Sequence, residues 1–182
     1  MRLAGMLLLA ALLANAALAQ RTKTEVTKAT TPADDSKPNS DNVPGVYSIS
    51  DRFERIVTLR FRYQADLLAG LEKMVKQEKI RNAVILSAIG SVRNYHLHVV
   101  SNRTFPAKNV FIKDAGSPAD IIGMNGYVLD GRLHPHIMLA DSEKAFGGHL
   151  EPGTNVFTFA IVTLGVLGDK ADLKRADDKT YR

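Results

Sequence analysis

The sequence predicts an α+β domain, in which a largely antiparallel sheet of about seven strands carries one long helix. Three observations support this fold class. Residues 65–79 show one helical stripe of apolar side chains, several other runs alternate between apolar and polar residues, and turn signals such as Asp130-Gly131 separate neighbouring runs. Alternation with period two indicates strands, and hairpin connections favour antiparallel pairing.

The first two predicted elements of the domain are a strand and the helix. Residues 53–63 alternate with period two, which predicts a strand. Residues 65–79 then place apolar side chains at helical spacing on one side and charged side chains on the other. Asp66 lies in the first turn, where a negative charge suits the helix dipole. We expect ordinary core packing from this helix.

Six further segments have the character of strands. They are residues 82–89, 93–100, 111–114 (a short strand or a turn), 118–130, 133–140 and 154–166. Gly90 lies between the first two, at a position where a side chain would obstruct the backbone. Gly147 and Gly148 end a turn-forming run that folds the chain back after residue 140.

The two ends of the chain differ from the domain in composition. Residues 1–19 combine a positive start, an apolar run and an Ala-Leu-Ala site, which is typical of a cleaved secretory signal peptide. An uncleaved anchor is the alternative, but the run is short for a span of about 20 residues. The composition of residues 20–50 predicts a flexible linker, and that of residues 168–182 predicts a disordered charged tail. The domain is predicted to span residues 51–167. We expect a secreted or periplasmic protein without a membrane span after cleavage.

The composition excludes several kinds of site. The chain has no Cys, so disulfides and thiolate metal ligands are ruled out. Its formal charge of +5 is spread over both signs, whereas nucleic-acid binders concentrate basic residues on one face. Basic residues do not interleave with aromatic ones in a stacking stripe. Neither a Gly-x-Ser-x-Gly nucleophile motif nor a Gly-Lys-Ser/Thr phosphate loop occurs.

Three of the five histidines fall in one stretch of the chain. His134 and His136 are two positions apart on a predicted strand, so their side chains point to the same face. His149 follows the Gly147-Gly148 turn, which can bring it back toward them. Two imidazoles from a strand and one from a loop would make a divalent-metal site with a position open for water. The alternative is that they are solvated or hydrogen-bonded on a half-exposed face.

Two other pairs have the same spacing of two residues. His96 and His98 lie on the strand at 93–100, and we interpret them as surface residues, although they could join the first cluster. Arg60 and Arg62 share a face and could hold an anion, but solvating the sheet surface is the simpler interpretation.

Several segments taken in order resemble the plants-and-prokaryotes conserved (PPC) domain, which accompanies AT-hook DNA-binding segments in plants. The resemblance covers about residues 56–167. Its parts are the helix at 66–72, a strand-end turn at 87–93, a His-rich strand at 134–141 and a glycine loop at 146–154. No one of these motifs is specific, but their order is.

The resemblance implies an α+β domain assembled as a homotrimer. In prokaryotic members the pattern at His134, His136 and His149 resembles a metal site, which implies a divalent ion, zinc or similar. The pair His96 and His98 is not part of that pattern. The AT-hook's Arg-Gly-Arg core, which carries DNA association in the plant proteins, is absent here. Export further disfavours DNA as a partner.

The sequence thus favours an exported, PPC-like trimer that binds a divalent metal ion, and it assigns no reaction. A metal-bound water would supply a nucleophile for hydrolysis. Asp141 and Glu143 are candidates for the general base because they are near the histidines in sequence. The alternative is a non-catalytic module that interacts with DNA or protein.

Overall fold

Ten elements make up the residues that the computed structural model describes, 21–26 and 38–176. They are β1 (Arg21–Val26), β2 (Phe53–Phe61), α1 (Leu67–Gln77), β3 (Ala83–Val100), β4 (Asn109–Asp114), β5 (Ala119–Leu129), β6 (Arg132–Ala140), β7 (Ala145–Leu150), β8 (Asn155–Leu167) and a 3-10 helix (Leu173–Ala176). The predicted signal peptide lies outside the described residues. Within them, no helix is both long and apolar enough to cross a membrane.

All strand pairs are antiparallel, and β3 is at the centre of the sheet. Near its start, β3 pairs with β5 on one edge and β8 on the other, since Ala83 is opposite both Val128 and Val166. Near its end, it pairs with β4 and β7 in the same way. Strand β6 joins β5 to β7, and β2 lies outside β8. The predicted antiparallel α+β fold is confirmed, with seven strands in the domain.

Helix α1 and the inner faces of the strands form one core. Leu67 and Leu71 of α1 are fully buried, which confirms the core role that the apolar stripe predicted. Asp66 is the N-cap, and its Oδ1 accepts a hydrogen bond from the backbone N–H of Ala69 at 3.0 Å. A carboxylate at this position satisfies an N–H group that has no partner within the helix.

The turn that folds the chain back covers only residues 141–144 of the predicted run. Gly147 and Gly148 belong to strand β7, so His149 lies on a strand and not in a loop. The two glycines allow β7 to fit between β6 and β3. A Cβ at Gly148 would lie 2.6 Å from the carbonyl oxygen of His98, and one at Gly147 would collide with that of Ile137. The glycines therefore mark a close approach of three backbones and not a turn.

The predicted strands at 82–89 and 93–100 form one strand of 18 residues, β3. The chain does not break at Gly90. Instead, β3 shifts register against β8 near this glycine, which lets the strand bend and continue.

Order extends beyond both predicted boundaries of the domain. Strand β1 lies in the predicted linker and pairs with β4 from Arg21 opposite Asp114 to Val26 opposite Asn109. Such pairing uses backbone groups of an open edge, so it needs no apolar side chains. Residues 168–176, in the predicted tail, pack on the domain through Ala171 and Leu173, which are buried. Residues 177–182 lie outside the described part.

Asp114 ends β4 and is buried, with 3% of its surface exposed. Its carboxylate accepts hydrogen bonds from the backbone N–H groups of Gly116 and Ser117, at 3.1 and 2.8 Å, and from the Tyr95 hydroxyl at 3.3 Å. Burial alone would raise the pKa of Asp114, but these hydrogen bonds outweigh it and lower the pKa below its ordinary value. The ionised carboxylate therefore holds the turn into β5.

Asp114→Asn should lower the free energy of unfolding by about 1–3 kcal/mol at pH 7, because a buried acceptor is lost. Since the folded-state pKa is depressed, the contribution of the carboxylate is present above the unfolded pKa of about 3.9 and is lost as the pH falls through the folded value. The deficit of the variant should therefore shrink at pH 3. Urea unfolding at both pH values tests this, with the exposed Asp120→Asn as control, and an equal deficit at both would contradict it.

Candidate metal centre

Three neighbouring strands each place one histidine in the same row. His98 of β3 is paired with His149 of β7, and His149 is paired in turn with His136 of β6. Paired residues project from the same face of a sheet, so these three imidazoles lie side by side. His134 joins them because it lies two positions before His136 on the same strand.

The other three rings pack around His149. Its ring centroid lies 4.5 Å from that of His98, 5.0 Å from that of His134 and 5.4 Å from that of His136. His134 and His136 stack with their centroids 5.3 Å apart, and their Nε2 atoms are separated by 3.3 Å. The structure therefore brings together the three residues that the sequence singled out.

The reverse face of the same strands belongs to the core. Leu97, Ile137 and Leu150 are at most 1% exposed, and each alternates along its strand with a histidine. Three of the imidazoles are half-buried, and that of His136 is exposed. The cluster therefore stands on a packed support and is open to solutes from outside.

Glu151 adds a carboxylate to this cluster. Its Oε1 lies 2.5 Å from Nδ1 of His98 and 3.5 Å from Nδ1 of His149. Among the described residues, His98, His149 and Glu151 form a group whose ligand atoms all lie within 4.8 Å of one another. Imidazole and carboxylate are both ligands that divalent zinc accepts.

The environment favours the forms of these groups that bind cations. Burial alone would raise the pKa of Glu151, but the imidazoles of His149 and His98 outweigh it and bring the pKa to about 2. Although one side of His136 is exposed, partial burial of its ring lowers its pKa, and the neighbouring imidazoles of His149, His134 and His98 lower it further. Near neutral pH the site therefore offers a carboxylate and, at His136, an uncharged ring nitrogen with a free lone pair.

One nitrogen of the cluster has no hydrogen-bond partner. Nδ1 of His149 is buried, and its approach to Glu151 at 3.5 Å is not directed as a hydrogen bond. An orphaned buried nitrogen is costly unless something else satisfies it. The donor set itself, imidazole nitrogens with one carboxylate, fits a divalent metal ion.

The prediction that His96 and His98 are both surface residues is only half right. His96 lies outside the cluster, and its Nδ1 makes a 2.9 Å hydrogen bond with the carbonyl of Pro152. His98 belongs to the cluster, and the sequence analysis also missed Glu151. The His-x-His spacing on a strand was a signal that His98 could bind an ion. No sequence feature near His98 shows, however, that β7 pairs with this end of β3 and brings His149 beside it.

The two carboxylates proposed as general bases lie away from the cluster. Asp141 and Glu143 are in the turn between β6 and β7, and Oδ1 of Asp141 accepts the backbone N–H of Glu143 at 2.9 Å. Asp141 follows His136 by five residues of extended strand. At about 3.3 Å per residue, their backbones are roughly 16 Å apart. Proximity in sequence does not become proximity in space here, because the strand is extended.

A second surface corrects the prediction that basic and aromatic residues do not interleave. The guanidinium of Arg60 lies over the ring of Phe159 at 5.9 Å, and that of Arg93 lies over Tyr63 at 5.7 Å. Tyr63 also meets Phe157 edge-on, with centroids 6.4 Å apart. We call these five residues the Arg–aromatic surface. It was invisible in sequence because it is assembled from strands β2, β3 and β8 and the turn that follows β2.

Two solved structures are similar to this chain over most of its folded part. A metal-containing protein from Archaeoglobus fulgidus is 25% identical, with a TM-score of 0.56, and the match covers 69% of this chain and 89% of that one. A PPC protein from Pyrococcus horikoshii is 28% identical, with a TM-score of 0.53, and the match covers 70% and 87%. The fold is therefore that of PPC proteins.

Two curated relatives match 60% of the chain. They are the Bifunctional protein GlmU of two Synechococcus strains, 26% identical over 111 residues and 27% identical over 119 residues. Each match covers 60% of this chain but only 17% or 16% of the relative. The similarity therefore concerns one segment of a much longer protein.

The model of the Plants and Prokaryotes Conserved domain, abbreviated PCC or PPC, matches residues 48–168. This range contains the strands β2 to β8, helix α1 and the whole histidine cluster. It confirms the resemblance that the ordered motifs suggested. Because the match spans more than half of the chain, this protein belongs to the Plants and Prokaryotes Conserved domain family.

Proposed function

We propose that this protein is an exported, trimeric PPC protein that binds a divalent metal ion, zinc or similar, through His134, His136 and His149. The observation that supports it most is the meeting of four imidazoles and a carboxylate on one face of three adjacent strands. The signal-peptide pattern at residues 1–19 supports export. No reaction is assigned.

The separation of two ring nitrogens supports this ligand set. Ligands bound tetrahedrally to zinc at about 2.0–2.1 Å stand about 3.3–3.4 Å apart. The Nε2 atoms of His134 and His136 are 3.3 Å apart, so an ion can bridge them with little movement. His149 is the natural third ligand, because its ring is next to both. The similar protein from Archaeoglobus fulgidus is itself metal-containing.

An ion held by three imidazoles would keep a position for water, and zinc lowers the pKa of such a water to about 7. This is the chemistry that hydrolysis or hydration requires. The chain's own contribution would be to hold the ion at an open, half-buried surface. Because Asp141 and Glu143 lie in the distant turn, we assign neither as a general base.

The sheet surface supports self-assembly. Large apolar side chains are 36–55% exposed on the four adjacent strands β2, β8, β3 and β5; they are Ile56, Phe157, Phe159, Ile89 and Ile122. Contiguous exposed apolar surface of this kind typically marks an interface. We propose that a second and a third copy of this chain cover it in a homotrimer.

The Arg–aromatic surface supports a second candidate function, the binding of single-stranded nucleic acid. Bases stack on exposed aromatic rings while arginines contact phosphates. Tyr63 and Phe157 are about half exposed, and the guanidinium groups of Arg60 and Arg93 are close by. This surface overlaps the proposed trimer interface through Phe157 and Phe159, so assembly and nucleic-acid binding compete for it.

The variant in which His134, His136 and His149 are all replaced by Ala should lose the near-stoichiometric zinc that the wild type takes up on dialysis. The reason is that three of the proposed ligands are removed. Plasma mass spectrometry measures the metal content, and circular dichroism confirms folding. Glu143→Ala, in the exposed turn between β6 and β7, should keep its zinc. A wild type that stays free of zinc, nickel and manganese would contradict the proposal.

Ile89→Asp should dissociate the trimer, because a charge would be buried in an apolar interface. Sedimentation equilibrium should give three times the chain mass for the wild type and less for the variant. Val100→Asp is the matched control, since Val100 is also an exposed apolar residue of β3 but lies at its other end. A monomeric wild type would refute self-assembly.

Arg60→Ala should reduce the salt dependence of single-stranded DNA binding, if the second candidate function holds. Each phosphate neutralised contributes a slope of about −0.7 in log affinity against log salt, so the variant should lose about one such contribution. Fluorescence anisotropy at several salt concentrations measures this, with duplex DNA in parallel. No binding at low salt removes the nucleic-acid candidate.

A further inference from the structure

The carboxylate of Glu151 lies between the imidazoles of His98 and His149, and it is closer to His98. Oε1 is 2.5 Å from Nδ1 of His98 and 3.5 Å from Nδ1 of His149. All three side chains are about one-fifth exposed, so the carboxylate is shielded from bulk water by the rings. The question is whether this carboxylate binds the ion or holds the ligands.

We infer that Glu151 holds the ligands and does not bind the ion, and that His98 is a fourth imidazole of the site. In this arrangement Glu151 accepts the Nδ1–H of His98 and faces Nδ1 of His149. Each of these rings then has Nε2 left for the ion. This inference rests on the proposed metal-binding function and adds to it the roles of two residues. A fourth imidazole would fill the tetrahedral position that three imidazoles leave to water, so the ion would be held as in a structural zinc site, without a bound water.

The contact distances decide between the two roles. Two ligands of one tetrahedral ion stand about 3.3–3.4 Å apart. The Nε2 atoms of His134 and His136 have this separation, at 3.3 Å. At 2.5 Å, Oε1 of Glu151 and Nδ1 of His98 are too close to be two ligands of the same ion, whereas they are close enough for a hydrogen bond. A carboxylate on the distal nitrogen of a metal-binding imidazole fixes its tautomer and raises its basicity.

The loop that carries Glu151 is held in place by the fold. The backbone N–H of Glu151 donates to the carbonyl of His96 at 3.0 Å, and the His96 ring bonds to the carbonyl of Pro152 at 2.9 Å. Two residues further on, the N–H of Gly153 donates to Oδ2 of Asp66, the N-cap of α1, at 2.6 Å. Three hydrogen bonds, from β3 and from the N-cap of α1, thus position the loop of Glu151 without help from an ion, as a positioning residue requires.

The ring of His98 is also held in place by protein contacts and not by an ion. Its ring stacks on His149 with centroids 4.5 Å apart and an interplanar angle of 21°, and it packs on Phe111 at 5.0 Å. Together with the bond to Glu151, these contacts leave the ring little freedom. A ring fixed on both faces and at Nδ1 can offer only Nε2 to an ion.

The first test uses the metal-free protein and nitrogen-15 NMR of the imidazoles. We expect the neutral His98 ring to carry its proton on Nδ1 in the wild type and in Glu143→Gln, a matched change in the distant turn. Glu151→Gln should alter that signal. A His98 ring protonated on Nε2 in the wild type would overturn the inference, whether or not the protein binds metal.

The second test uses zinc affinity and the visible spectrum of the cobalt(II)-substituted protein. Glu151→Gln should weaken zinc binding about 10- to 100-fold, as is usual for such outer partners, and leave the cobalt spectrum unchanged. His98→Ala should change the spectrum, because a ligand is lost, and Glu143→Gln should change neither quantity. A changed spectrum in Glu151→Gln would show that Glu151 binds the ion. If the wild type binds no metal, the proposed function fails. The contact between His98 and Glu151 is then only a hydrogen bond, without a role in metal binding.

Discussion

The pairing of β3 with four other strands is the constraint on which the rest of the structure depends. Buried backbone N–H and C=O groups must find partners, and a central strand of 18 residues has many of them. Two strands satisfy them near its start and two near its end. The second pair includes β7, and this is how His98 and His149 come to face each other. The candidate metal centre thus depends on which strands satisfy the backbone hydrogen bonds of β3.

Much of the fold could be predicted because its signals are local. The alternation of side chains along β6 placed His134 and His136 on one face, and the apolar stripe of α1 placed Leu67 and Leu71 in the core. These properties follow from the backbone geometry of a single element. The family could then be predicted because the motifs follow one another along this chain in the same order as in PPC domains.

What escaped prediction depends on contacts between distant parts of the chain. His98 and Glu151 are 53 residues apart, and only the pairing of β3 with β7 brings them together. Gly147 and Gly148 suggested a turn because glycine serves turns and close strand contacts equally well. The Arg–aromatic surface was missed for the same reason, because its members come from three segments. Periodicity describes one strand at a time and does not show which strands will be neighbours.

Strand β1 has a consequence for how this domain tolerates shortening. The family match begins at residue 48, whereas β1 ends at Val26 and covers the outer edge of β4. A fragment limited to the family match would expose that edge as a row of unpaired N–H and C=O groups. Uncovered edges recruit strands from other molecules. The polar segment before the domain therefore completes the sheet at this edge, a role that its composition does not suggest.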